Sequence, residues 1–170
     1  MFEWNRFNDD GPNYFEVAQV CLNGHVITGA YNENPERRKD FCPKCGSKTI
    51  FQCPKCQANI QGDYIVPSVP SGGISHPPAY CHSCGQAYPW IEMQLEAARQ
   101  LTIEAEELSE DRDKLINSLP DLVSDTARTT IAANRWRKAF EKMGKYTAIT
   151  LQEIFVDIAS ETAKKLLFPK

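Results

Sequence analysis

Four short pairs of metal-binding residue types dominate this chain: Cys21-x3-His25, Cys42-x2-Cys45, Cys53-x2-Cys56 and Cys81-x2-Cys84. A two-residue spacer lets one tight turn aim two thiolates at a single ion, each sulfur about 2.3 Å from it. Gly46 and Gly85 directly follow two of the pairs, where glycine accepts the left-handed backbone that leaves such a turn. Asn23 and Gly24, inside the first pair, are turn residues as well.

The donor count narrows the chemistry. Seven cysteines cannot all pair into disulfides, nor do they fill tetrahedral sites by themselves. His25 raises the number of donors to eight, enough for one site of three cysteines and a histidine and one of four cysteines. Two structural zinc ions are therefore expected on Cys21, His25, Cys42, Cys45, Cys53, Cys56, Cys81 and Cys84. Sequential grouping, first pair with second and third with fourth, needs only local hairpins and has a low loop-closure cost. Cross-braced and nested groupings remain alternatives at this stage. His76, before Pro77 in a loop, and His82, inside the last turn, are not needed to complete a site.

Catalysis is not expected. A catalytic zinc keeps an open position beside three protein ligands, whereas four donors are available here for each ion. The chain has no H-E-x-x-H helix, no phosphate-cradling glycine loop and no G-x-S-x-G.

Composition divides the chain near Trp90. All the cysteines and histidines, and every proline except Pro120 and Pro169, precede it. Beyond it, Ala, Leu, Glu, Lys and Ile recur with helical periodicity. The expected organisation is a flexible N-terminal tail (1–13), a small zinc-stabilised β domain of tandem zinc ribbons (14–90) and an all-α, bundle-like region (91–170). A stretch of some 75 residues has marginal core-forming capacity, and bound metal is one remedy. Strand-like pieces are Phe15 to Val20, Val26 to Thr28, Thr49 to Phe51 and Tyr64 to Val66. Residues 67–78 read as a loop, and Tyr64, Tyr80 and Tyr88 as hairpin core.

In the second half, Ile91, Leu95, Ala98, Thr102, Ala105 and Leu108 share one helical face. Ser109 is expected to cap a continuation carrying Leu115, Ile116 and Leu119, which Pro120 interrupts. Asp125 is expected to cap a third helix with Ala132, Trp136, Ala139, Phe140 and Met143 on its face, ended by Gly144. Thr150 and Glu153 suggest a capping box for a fourth, whose face runs through Leu151, Ile154, Phe155, Ile158, Thr162 and Leu166. Charge is segregated: residues 92–113 carry eight acidic and two basic side chains, whereas Arg128, Arg135, Arg137, Lys138, Lys142 and Lys145 lie within residues 128–145. Two solvated faces that attract when packed are the plain reading, and a nucleic acid or acidic partner for Arg135, Arg137, Lys138 and Lys142 the sharper one.

The net charge of −3 argues against non-specific nucleic-acid binding, which draws on many Lys and Arg contacts. No apolar run approaches the ~20 residues of a membrane-spanning helix, so no membrane association is expected. MFEWNRFNDD lacks the basic start and apolar stretch of a secretion signal. The expected location is therefore the cytoplasm, a reducing compartment where paired cysteines read as metal ligands.

The series Y-x6-C-L-N-G-H-V-I-T from Tyr14, F-C-P-K-C-G, C-P-K-C, G-D-Y-I-V-P, P-P-A-Y-C-H-S-C-G and Y-P-W resembles a family of small bacterial proteins, domain of unknown function number 2321. The likeness covers about residues 14–94 and continues into the helical tail. It implies a bacterial cytoplasmic protein with paired zinc ribbons and carries no activity with it. Every ligand position matches the family's pattern. The function expected is a non-catalytic interaction or adaptor module with an unidentified protein partner, its oligomeric state left open. The alternative is a zinc-ribbon nucleic-acid binder using Lys44, Lys48 and Lys55 near the turns, with an enzyme or redox protein ranked last.

Overall fold

The computed structural model describes residues 11–67, 69–70 and 72–169. Most of the expected tail lies outside the described residues; Gly11, Pro12 and Asn13 are exposed and irregular. The chain divides into two compact units, Met1–Trp90 and Ile91–Lys170.

The first unit holds β1 (Tyr14–Val17), β2 (Gln19–Cys21), β3 (Val26–Thr28), β4 (Thr49–Ile50) and β5 (Gln61–Ile65). β1 pairs antiparallel with β5, and β2 lies between β3 and β4 in a second antiparallel sheet. The stretch expected as one strand from Phe15 to Val20 is thus two strands in different sheets. Ala18, fully buried, makes the switch: its amide donates to the Ile60 carbonyl at 2.8 Å, outside both ladders. Just before it the β1–β5 register shifts between Phe15 and Val17.

Such short strands bury little apolar surface, and buried polar side chains take over part of the work. Gln19 donates to the Lys39 carbonyl and accepts from the Lys39 amide, so it pairs with that peptide as a strand neighbour would. The buried Glu16 carboxylate accepts from both the main-chain and side-chain amides of Asn32, at 2.8 and 2.9 Å. Asp63 donates its amide to the Gly29 carbonyl, and its carboxylate accepts from Ile74, tethering the proline-rich loop. Each such group is matched, as buried polar groups must be. Gly62 permits the close approach: a Cβ there would collide with the Gly29 carbonyl oxygen and stand 2.8 Å from the Ala18 amide nitrogen.

Of the three tyrosines expected in the hairpin core, only Tyr88 is buried; Tyr64 and Tyr80 are exposed. Tyr88 stacks on Trp90 with ring centroids 4.6 Å apart, and the Trp90 indole donates to the Pro78 carbonyl. Trp90 also floors the first ligand turn, since a Cβ on Gly24 would lie 3.1 Å from the Trp90 Cβ.

Helix α1 (Pro89–Glu104) leads into α2 (Arg112–Val123), α3 (Thr129–Phe140), α4 (Lys145–Ile158) and α5 (Glu161–Leu167). The core of the second unit runs from Ala98 to Leu167 and centres on Trp136, Phe155, Leu122 and Leu151. Trp136 meets Phe155 edge-on at 4.8 Å, an arrangement worth about 0.5–1.5 kcal/mol beyond its area. The expected α1 stripe is buried or half-buried along its length, although the helix stops at Glu104 and a 3-10 turn (Glu106–Leu108) carries Leu108 inward.

Several expected helix ends are displaced. Pro120 does not interrupt α2. It opens the last turn, where its missing amide costs the one bond to the Ile116 carbonyl but the helix runs on to Val123, and its own carbonyl accepts from Ser124. Asp125 does not cap α3; Thr129 closes that turn, accepting from the Thr126 amide and donating to the Ser124 carbonyl. Gly144 is not a helix C-terminus. It has φ −58° and precedes α4 as its N-cap. Thr150 lies inside α4, its hydroxyl bonded back to the Tyr146 carbonyl. The chain breaks again at Ser160, whose hydroxyl accepts from the Ala163 amide. That break moves the buried face from Thr162 and Leu166 to Ala163 and Leu167.

Candidate metal centres

The three C-x2-C turns share one backbone frame. The residue before the first cysteine bridges to the residue seven further on: Phe41 to Lys48, Gln52 to Asn59 and Tyr80 to Ala87. The first cysteine donates its amide to Ser47, Ala58 or Gln86 at 2.8–2.9 Å. Its carbonyl accepts from Gly46, Gln57 or Gly85 over the same range. Those three residues have φ of +70°, +62° and +70°. The glycines were legible as turn exits; Gln57 does the same job with a side chain in the left-handed region.

The Cys21–His25 turn is built differently. The Cys21 amide donates to the His25 carbonyl, the Gly24 amide donates to the Cys21 carbonyl, and the His25 amide points at the Cys21 sulfur from 3.3 Å. Gly24 has φ +87°, and with Trp90 beneath it no larger residue suits the position.

These turns bring the donors together in sequential order. Cys21, His25, Cys42 and Cys45 form one cluster and Cys53, Cys56, Cys81 and Cys84 the other, with all ligand atoms of a cluster within 4.8 Å of one another. Each cluster has buried members and exposed ones, Cys45 in the first and Cys56 and Cys84 in the second. The cross-braced and nested groupings are not adopted. Exposed His76 and His82 belong to neither cluster.

The spacings test whether a cation fits. Ligands around a tetrahedral zinc, with bonds of about 2.3 Å to sulfur and about 2.0–2.1 Å to nitrogen, stand about 3.8 Å apart for two sulfurs and about 3.5 Å for sulfur and nitrogen. Cys21 and Cys45 are 3.8 Å apart, Cys53 and Cys84 3.8 Å, and Cys56 and Cys81 3.6 Å. His25 Nδ1 lies 3.5 Å from the Cys21 sulfur and 3.6 Å from that of Cys42. These are tetrahedral edges, far longer than the roughly 2.05 Å of a disulfide. Both donor sets can therefore hold a thiolate-preferring ion.

Electrostatics point the same way. The Ser47 amide, followed by His25, Asn23 and Cys42, lowers the Cys45 thiol to about 6, against the opposing effect of burial. The Cys84 and Ser83 amides, with Cys56 and Cys53, lower Cys81 to about 6. Their cluster mates move the other way. Burial and the neighbouring Cys45 and Cys42 raise Cys21 to about 11 despite the His25 and Asn23 amides. The Gln86 amide lowers Cys84, but partial loss of water around its sulfur and the thiols of Cys56, Cys81 and Cys53 outweigh it and carry it to about 11. One thiolate forms readily in each cluster and then resists the next; a divalent cation removes that repulsion.

The chain belongs to a bacterial protein family. The model of DUF2321, uncharacterised protein conserved in bacteria, matches residues 14–167 and so takes in both clusters and all five helices. No curated protein and no solved structure matches the chain. Among the described residues of this DUF2321 member, no helix is long and apolar enough to cross a membrane.

The eight residues that the structure gathers are those the spacing picks out. Tyr88, expected in the hairpin core, lies beside the second cluster, a placement that spacing does not carry. Its hydroxyl is buried near Cys81 without a hydrogen-bond partner among the described residues, and burial, reinforced by the nearby thiols, pushes its pKa well up.

Proposed function

We propose that both clusters hold structural zinc, that residues 14–90 form tandem zinc ribbons, and that the protein is a non-catalytic interaction module of the bacterial cytoplasm. The observation that carries this reading is the closed donor set. Each cluster supplies four protein ligands at tetrahedral spacing, which leaves no coordination position for a substrate or an activated water. Zinc then contributes folding energy, and function falls to the surfaces that the folded unit presents. One such surface is aromatic. Phe15 and Tyr64 face each other across β1 and β5, with centroids 4.9 Å apart and about half of each side chain in solvent. Apolar side chains clustered on a rigid, exposed surface mark interaction sites.

The test is crosslinked capture from the source bacterium with the zinc-loaded chain, alongside Phe15→Ser/Tyr64→Ser. A discrete protein set captured by the parent chain and lost in the double variant, with zinc retained by both, supports the reading. Identical capture by both, or nucleic acid as the sole co-purifying species, contradicts it.

A further inference from the structure

A cavity of about 250 Å3 opens between α2 and α3, far in sequence from the cysteine clusters. Lys114, Arg135, Lys138 and Lys142 line it, with Asp111 as the acidic member and Leu115 and Ala139 as an apolar floor. Arg135 and Lys138 stand three residues apart on one face of α3, and Lys142 follows in the turn just past its end, so like charges crowd the rim of the cavity. Asp111 neutralises part of this field: its carboxylate accepts from Lys142 at 3.0 Å and lies 3.9 Å from Lys114. Arg135 and Lys138 make no ion pair among the described residues. Arg137, grouped with these residues on sequence grounds, does not line the cavity.

Four cations around a small concave space, two of them unpaired, favour a compact anion of more than one charge. Arg and Lys differ usefully here, since a guanidinium grips two oxygens at once and an ammonium acts as a point charge. The apolar floor adds a requirement that a bare inorganic ion does not satisfy. We propose that this cavity binds a small organic phosphate, with the phosphate group against Arg135, Lys138 and Lys142 and the carbon portion over Leu115 and Ala139.

The probe is phenyl phosphate, titrated into the zinc-loaded, 15N-labelled full chain at constant ionic strength, with inorganic phosphate and a hexaglutamate peptide as parallel arms. Saturable amide shifts confined to residues 111–115 and 135–142 are expected, with phenyl phosphate tighter than inorganic phosphate. Arg135→Gln/Lys138→Gln alters two exposed side chains, and circular dichroism checks that its helix content is retained. This variant is expected to bind phenyl phosphate about tenfold more weakly or worse, the usual consequence of losing charge-assisted hydrogen bonds. The proposal is overturned by an absence of saturable binding, by equal affinity in the double variant, or by inorganic phosphate matching phenyl phosphate. A hexaglutamate peptide bound as tightly as phenyl phosphate also overturns it, because the cavity is then a protein contact.

Discussion

Gln57 holds a backbone position that its two counterparts give to glycine. At φ +62° an L side chain crowds the following carbonyl, a strain of roughly 1–2 kcal/mol that glycine does not feel. Glycine gives back about 0.5–1 kcal/mol through the freedom it adds to the unfolded chain. Gln57→Gly is therefore expected to stabilise the first unit by up to about 1 kcal/mol, and Gly46→Gln to destabilise it by a similar amount. Thermal midpoints of the zinc-loaded variants check both signs.

The thiols give a pH prediction at the same scale. A bound cation needs its ligands deprotonated. Cys45 and Cys81 keep their thiolates down to about pH 6, whereas Cys21 and Cys84, at about 11, must each release a proton to the solvent when metal enters. Affinity should thus rise with pH across the neutral range and fall more steeply once the pH drops below about 6, where Cys45 and Cys81 take up protons as well; a zinc-sensitive dye follows the release. Insensitivity to acid would contradict it. The donors were legible because residue type and spacing together specify tetrahedral ligation. Gln57 was not, because nothing in a glutamine announces a left-handed backbone.

At the scale of elements, hydrophobic periodicity found the helices and local capping rules misplaced their ends. Thr150 and Glu153 have the spacing of a capping box, yet packing of Leu151 and Phe155 keeps α4 continuous from Lys145 through both. Ser160 is a true cap, but the apolar stripe of the preceding helix runs straight toward it and conceals the break. Ser160→Ala removes the acceptor for the Ala163 amide and is expected to cost about 1 kcal/mol of stability in the second unit. Urea titration of helical ellipticity measures this. A change below a few tenths would mean that packing against α3 alone sets the start of α5. The strands were harder still. Whether Phe15 to Val20 is one strand or two depends on Ala18 meeting Ile60, a contact across more than forty residues that no local pattern carries.

At the scale of the whole molecule, two sources of stability are separate in sequence. The apolar core from Ala98 to Leu167 belongs to the second unit, whereas residues 14–90 have short strands, buried polar clamps and two donor clusters. A strong zinc chelator is accordingly expected to abolish the near-ultraviolet signal of Tyr88 and Trp90 while most helical ellipticity remains. Collapse of both signals together would show that the helices need the metal-bearing unit to fold. Composition carried this division, because cysteine and proline on one side and helix formers on the other call for different stabilising forces. Zinc K-edge X-ray absorption of the full chain puts the central claim to its most direct test. The account predicts two ions per chain sharing seven sulfurs and one imidazole nitrogen, with sulfur at about 2.3 Å. An oxygen ligand in either shell, or fewer than two ions, would contradict it.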